Sequence, residues 1–303
     1  MVQNFEFPED ATPISDCSDL IPTWVETFKD LNRVEAENIS LAQRKYFRRP
    51  IGDPSQWFQV KELLTIHRAM FGNVWRWAGR FRKSITSIGI QPNLIPNHLA
   101  ELCNEVVSWF HHPVELTFLE KSAFIHHRLV SIHPFENGNG RFSRLVADRF
   151  LLALRCPHPI WPNHLQRDGI ARKEYIQALK NADKGDYEPL ISFMKEFGAC
   201  DPQVSEFFTN RFYRNFLKRD IGVAILIALL RRGGNPNETT PKGYRVLHLA
   251  VKSGLKEIVK LLIDSGAEID AKDRNGLTPF QTAVMMENTI LADFLVSCGA
   301  HKA

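Results

Sequence analysis

Apolar residues recur at helical spacing along the first two-thirds of the chain. Thr27 stands ahead of a stripe made by Leu31, Val34, Ile39, Leu41 and Ala42, which predicts a capped helix from Phe28 to about Tyr46. Val60, Leu63, Leu64, His67, Met70 and Phe71 share one side of a second predicted helix, Trp57 to Phe71, which Gly72 ends. Further helices are expected from His98 to Phe110, Phe118 to Val130, Ala171 to Ala182 and Tyr187 to Phe197, with Pro113, Pro157, Pro159 and Pro162 interrupting the pattern. Only Ser84 to Ile90 alternates apolar with small polar residues. It predicts a short β-segment, followed by turn chemistry at Pro92 and Asn93.

The densest chemistry lies between two of these helices, in Ile132-His133-Pro134-Phe135-Glu136-Asn137-Gly138-Asn139-Gly140-Arg141-Phe142-Ser143-Arg144. Pro134 stops the incoming helix. After Gly138-Asn139-Gly140 the helical pattern resumes with Phe142, Leu145, Val146, Phe150, Leu151 and Leu154. A Gly-rich loop opening a helix presents backbone N–H groups and the positive end of the helix dipole to an anion. Arg141 and Arg144 lie one turn apart and match phosphate bidentately. The expected element is a polyphosphate cradle with a histidine at its mouth.

This run resembles the signature of the Fic family, H-x-F-x-(D/E)-G-N-G-R-x-x-R, and departs from it only at Asn137, where the family has an acidic residue. The resemblance extends from about Leu20 through Phe197 and is most similar to the bacterial mobile mystery protein B subfamily, whose members also tend to carry Asn there. It implies adenylylation: transfer of AMP from ATP to a Ser, Thr or Tyr hydroxyl of a target protein. His133 would be the general base, a role typically worth about 10²–10⁴-fold. Gly138, Asn139 and Gly140 would hold the α-phosphate, Arg141 the β-phosphate and Arg144 the γ-phosphate, with Phe135 as a buried anchor. Asn137 would take the metal-ligand place. Its neutral amide oxygen suits Mg²⁺ poorly, so the ATP phosphates would supply most of the ligation, with Glu136 as a substitute.

Two regulatory elements follow from the same resemblance. The family's inhibitory helix, (S/T)-x-x-x-E-(G/N), carries a Glu that pairs with the second signature Arg. Arg33-Val34-Glu35-Ala36-Glu37-Asn38 makes Glu37 the formal match and Glu35 a second candidate. The two are about 200° apart on a helix, so only one can face the cradle. The alternating segment takes the place of the family's flap, a hairpin that adds the target's backbone as a strand, and Ile88, Gly89 and Ile90 would line it. Trp75-Arg76-Trp77-Ala78-Gly79 resembles the family's Trp-Ala-Gly element, its tryptophans read as core. His126 and His127, adjacent on a helix, read as structural histidines.

Beyond Gly198 the pattern repeats on a longer scale. Gly243 and Gly276 are 33 positions apart, as are Gly233, Gly266 and Gly299. Leu247-His248-Leu249-Ala250 and Thr278-Pro279-Phe280-Gln281-Thr282-Ala283 resemble the ankyrin T-P-L-H-x-A signature, and Ile225 to Asn237 matches only the second half of a repeat. Two good repeats and a degenerate leading one are near the minimum for stacking, so Phe207, Phe208, Phe212, Tyr213 and Phe216 are expected to pack between the domains. Ankyrin arrays usually present a surface to another protein.

The predicted architecture is mainly α: a Fic-type helical domain with a small β-hairpin flap, then an α-helical ankyrin-repeat solenoid. Its boundaries are a loose tail over 1–19, a Fic domain over 20–198 that includes the N-terminal helix, and 199–303 for the connecting helix and repeats. The intact Gly140, Arg141 and Arg144 favour AMP over the phosphoryl transfer of Doc-type relatives or the phosphocholine transfer of some ankyrin-bearing ones. Asn137 keeps open a non-catalytic nucleotide-binding scaffold. A 303-residue chain with 44% hydrophobic and 24% charged residues is ordinary globular material, and a net charge of +4 argues for neither nucleic acid nor membrane as partner. Five scattered cysteines, an odd number, fit a reducing compartment. With no visible Sec signal peptide, the expectation is a cytoplasmic protein, although ankyrin repeats in a bacterial-looking enzyme make export into another cell worth testing. The target and the oligomeric state stay open.

Overall fold

The structure, a computed structural model, describes residues 18–48, 51–162, 165 and 169–302. Apart from Ser18 and Asp19, the expected loose tail lies outside the described residues. The chain divides into two units: residues 1–110 with 118–200, and residues 111–117 with 201–303.

In the first unit, Thr27 and Asp30 cap α1 (Phe28–Phe47) reciprocally, each side chain bonding the other's backbone. The predicted Trp57–Phe71 helix is divided. Asp53 caps a one-turn α2 (Pro54–Trp57), Gln59 is extended, and α3 (Val60–Phe71) starts afresh. Then come α4 (Ile95–Ser108), α5 (Phe118–Ile132), α6 (Asn139–Ala153), α7 (Ile170–Ala182) and α8 (Glu188–Glu196). The α5–α6 pair forms the centre. α1 and α3 pack on α6 and on each other, α4 and α8 pack on α5, and α7 lies on α8. Leu63, Phe71, Leu129, Phe135, Phe142 and Phe150 are fully buried, so the loop between α5 and α6 is fixed from below by the core of the unit.

The predicted hairpin is absent among the described residues. Residues 82–90 form a loop without strand pairing, and the only bridge described in this unit joins Leu20 to Trp75. The carbonyls of Ser84 and Ile90, which a ladder would have used, accept hydrogen bonds from the Arg82 guanidinium instead.

The second unit contains α9 (Val204–Thr209), α10 (Arg211–Leu217), α11 (Asp220–Arg231), α12 (Val246–Ser253), α13 (Lys256–Asp264), α14 (Pro279–Met285) and α15 (Thr289–Ser297). Thr278 caps α14 with Gln281 returning the bond, and Pro279 occupies the first turn, where its missing N–H costs nothing. His248 donates from Nε2 to Leu277 O at 2.7 Å, and Asn237 bonds both Gly266 O and Glu268 N, which ties successive repeats together. Within this unit Phe207 stacks on Tyr213 at 5.1 Å and Phe212 meets Phe216 edge-on at 5.5 Å. Among the described residues no helix is long and apolar enough to cross a membrane.

Candidate active site

α5 carries its hydrogen bonding as far as His133, whose N–H reaches Leu129 O at 3.2 Å. His133 then adopts φ +52°, a left-handed backbone that is uncommon outside glycine, and turns the chain into the loop. Phe135 is fully buried, stacked on the His67 ring at 3.5 Å and edge-on to Phe142 at 5.0 Å. The Asn139 side chain closes the loop. Its amide oxygen accepts from Phe135 N at 3.0 Å and its NH₂ donates to Phe135 O at 2.8 Å. The buried Asn139 side chain is therefore occupied, and of this residue only the backbone N–H is left to face an anion.

Gly138 has φ +80°, and a Cβ there would strike Phe71 Cζ at 2.4 Å. A Cβ on Gly140 would meet only Arg144 Nη1 at 3.7 Å, so Gly140 faces open space. The first intrahelical bond of α6 runs from Phe142 N to Gly138 O, which leaves the N–H groups of Asn139, Gly140 and Arg141 directed beyond the helix end.

His67 ties the loop to the turn at Gly79. Its Nδ1 accepts Gly79 N–H at 3.0 Å, so Nε2 carries the proton and donates to Asn137 O at 3.1 Å. Full burial drives its pKa down to about 3 and keeps it neutral. The sequence showed His67 only as one member of an apolar face.

His133 is 7% exposed, and both ring nitrogens are out of contact with water and without a hydrogen-bond partner. Burial first, and the Arg82 charge second, lower its pKa to about 4, so the imidazole is unprotonated at neutral pH. Gly89 covers it from above: a Cβ on Gly89 would fall 2.5 Å from His133 Cβ. Ile88 is exposed and Ile90 is half-buried, and of the three residues expected to line the flap Gly89 lies against His133, in a loop and not a hairpin.

The arginines are held differently from each other. Arg141 donates to Glu35 Oε2 at 2.6 Å and lies over the Phe71 ring at 4.8 Å. Arg144 donates to the Tyr175 hydroxyl at 3.4 Å and lies near the Trp161 and Tyr175 rings. Tyr175 contacts buried His126 Nε2 at 2.8 Å, and His127 bonds Asp183 and Tyr187, as structural histidines do. Of the two glutamates, α1 turns Glu35 inward, where it is 3% exposed, and leaves Glu37 on the exposed face. The partner is Arg141, the first signature arginine, where the resemblance implied the second. Trp75 donates from its indole to Glu35 Oε1 at 2.7 Å, which satisfies both carboxylate oxygens. The tryptophan is core, as expected, but its N–H has this second use. A buried indole usually finds an acceptor, and that was the only signal available in the sequence.

The two residues expected to hold Mg²⁺ are hydrogen-bonded within the protein. The Asn137 amide oxygen accepts from the neighbouring Gly138 N–H. Glu136, the expected substitute, accepts from Lys83 N at 3.0 Å and Ser84 Oγ at 2.5 Å. Among the described residues no group of three His, Cys, Asp or Glu side chains could hold a metal.

Residues 57–151 match the family model described as Fic/DOC family, and residues 220–303 that described as ankyrin repeats (3 copies). Residues 57–151 are thus similar to a Fic/DOC domain. Curated relatives include protein adenylyltransferase Fic of Aedes aegypti, 32% identical over 158 residues, covering 51% of this chain and 30% of the relative. Protein adenylyltransferase fic-1 of Caenorhabditis elegans is 30% identical over 147 residues, covering 48% and 28%. This chain thus spans less than a third of the length of either relative. Among solved structures, Fic-1 from C. elegans matches with 24% identity over 58% of this chain and 50% of that one, at a TM-score of 0.44.

Proposed function

We propose that this protein is a protein adenylyltransferase in its resting state. The start of α6 supports this reading: three backbone N–H groups open the helix that carries Arg141 and Arg144, in the loop that follows an unprotonated His133. ATP is the substrate, as the names of the relatives suggest. In the reaction, a hydroxyl oxygen of the target attacks the α-phosphorus while the bond to the pyrophosphate oxygen breaks. The hydroxyl proton passes to an imidazole nitrogen of His133, and pyrophosphate leaves against Arg141 and Arg144. The N–H groups of α6 stabilise charge on the α-phosphate oxygens in the transition state. None of these steps uses a protein-ligated Mg²⁺, because Asn137 and Glu136 are committed to backbone and loop.

Two contacts make this a resting state. Glu35 occupies the guanidinium that the β-phosphate needs, and the 84–90 loop covers the imidazole. The ankyrin repeats dock the target or a regulator, consistent with the usual use of such arrays. The test is intact-mass and peptide mass spectrometry after incubating the Glu35→Gly protein with ATP. A mass increase of one adenylyl group on itself or on an added target, lost in Glu35→Gly/His133→Ala, is expected. Nucleotide binding without any transferred group would instead favour the scaffold reading that Asn137 motivates.

A further inference from the structure

Beyond its charge, which helps keep His133 unprotonated, Arg82 is 2% exposed and every arm of its guanidinium is engaged. Nε donates to His133 O at 2.6 Å, Nη1 to Ser84 O at 2.7 Å, and Nη2 to Ile90 O. Its own backbone N–H donates to Pro134 O at 2.9 Å. Ser84 and Ile90 close the two ends of the loop over His133, so the loop is wound around one planar cation. The Glu136 carboxylate adds a second tether to Lys83 and Ser84, and Gly89 rests on the His133 side chain. The loop lacks the strand pairing that would otherwise hold it. Its conformation is therefore specified by these contacts with the segment that carries the histidine.

We propose that Arg82 is a positioning residue that locks the 84–90 loop and the His133 backbone into one body, so that a target bound on the loop presents its hydroxyl at a fixed offset from the imidazole. This rests on the adenylyltransferase reading for its catalytic consequence but not for its structural one. A planar fork is required. Three carbonyls approach it in different directions, and a lysine ammonium, a point charge on a flexible stem, cannot hold all three in register. The left-handed backbone at His133 is held by the same arginine, through His133 O and Pro134 O.

Two measurements on the full chain test the proposal. In amide hydrogen exchange, Arg82→Lys is expected to lose protection together in 82–91 and 131–136, while α6 beyond its first turn is unchanged. Independent behaviour of the two segments overturns the proposal, whether or not the protein transfers AMP. In the Glu35→Gly background, Arg82→Lys is expected to leave the ATP Kd unchanged and lower kcat for target modification by about 10²-fold, the scale of a misplacement near 1 Å. Gly89→Ala, which forces a Cβ onto His133 at a backbone φ of +108°, is expected to lower kcat in the same way and to lower the melting temperature as well. Absence of transfer in the Glu35→Gly parent itself counts against the activity and leaves hydrogen exchange to decide on Arg82. Equal kcat in parent and both variants overturns the positioning role.

Discussion

Replacing Glu35 by glutamine removes one negative charge from the cradle and almost nothing else. The amide keeps the volume, and its carbonyl can still accept the Trp75 indole N–H. What disappears is the charged partner of Arg141, 2.6 Å away and shielded from water, the two side chains being 4% and 16% exposed. If the proposed function holds, ATP must break this contact to place its β-phosphate, so part of its binding energy is spent on displacing Glu35. A hydrogen bond between charged groups contributes about 1.5–3 kcal/mol net. Removing that competition should tighten ATP binding by about 10- to 100-fold, each 1.4 kcal/mol being about tenfold. The Glu37→Gln protein is the control. Glu37 is exposed, and such changes usually shift free energies by less than about 0.5 kcal/mol, so its ATP affinity should stay within about twofold of the parent. Isothermal titration of the three proteins with ATP measures both effects. Unchanged affinity in Glu35→Gln, or an equal gain in Glu37→Gln, would refute the assignment of Glu35 as the blocking residue.

Trp75→Phe leaves a buried Glu35 oxygen without its donor and should weaken the block by about 1 kcal/mol, a gain of about fivefold in ATP affinity by the same titration. Asn137→Asp adds a charged oxygen at the one place the signature lacks it. Transfer by Glu35→Gly/Asn137→Asp should need less Mg²⁺ for half-maximal rate than Glu35→Gly alone, and an identical Mg²⁺ dependence would show that position 137 does not reach the metal. Acid should destabilise the first unit. His67, His126 and His133 are neutral when folded, their pKa values lowered chiefly by burial, and protonate on unfolding below their ordinary value. Their contribution is complete above pH about 6.5 and is lost as pH falls towards 4, at about 1.4 kcal/mol per unit per histidine. Asp148, whose carboxyl burial pushes well up, acts in the opposite sense. The urea midpoint should therefore be lower at pH 5 than at pH 7, and a higher one at pH 5 would contradict neutral burial.

Much of the molecule was determined locally and is legible for that reason. Thr27 and Asp30 cap α1 wherever it packs, Pro134 ends α5, and Gly138 permits the φ +80° turn into α6. The 33-residue spacing of glycines repeats because each repeat stacks on the next with the same turn. Arg141 and Arg144 share a side of α6 by helical geometry alone.

What the tertiary structure decided depends on contacts between residues far apart in the chain, which no periodicity encodes. Glu35 and Glu37 are equally charged helical residues, and only the packing of α1 on α3 and α6 turns Glu35 towards Arg141, 106 positions later. The alternation of Ser84 to Ile90 resembles a strand, yet without a partner strand its carbonyls turn to Arg82. Asn139 and Glu136 were available to phosphate and metal until the fold brought Phe135, Lys83 and Ser84 within hydrogen-bonding distance. Local sequence sets which groups a segment offers. Burial and long-range hydrogen bonding set which of them remain free for a substrate.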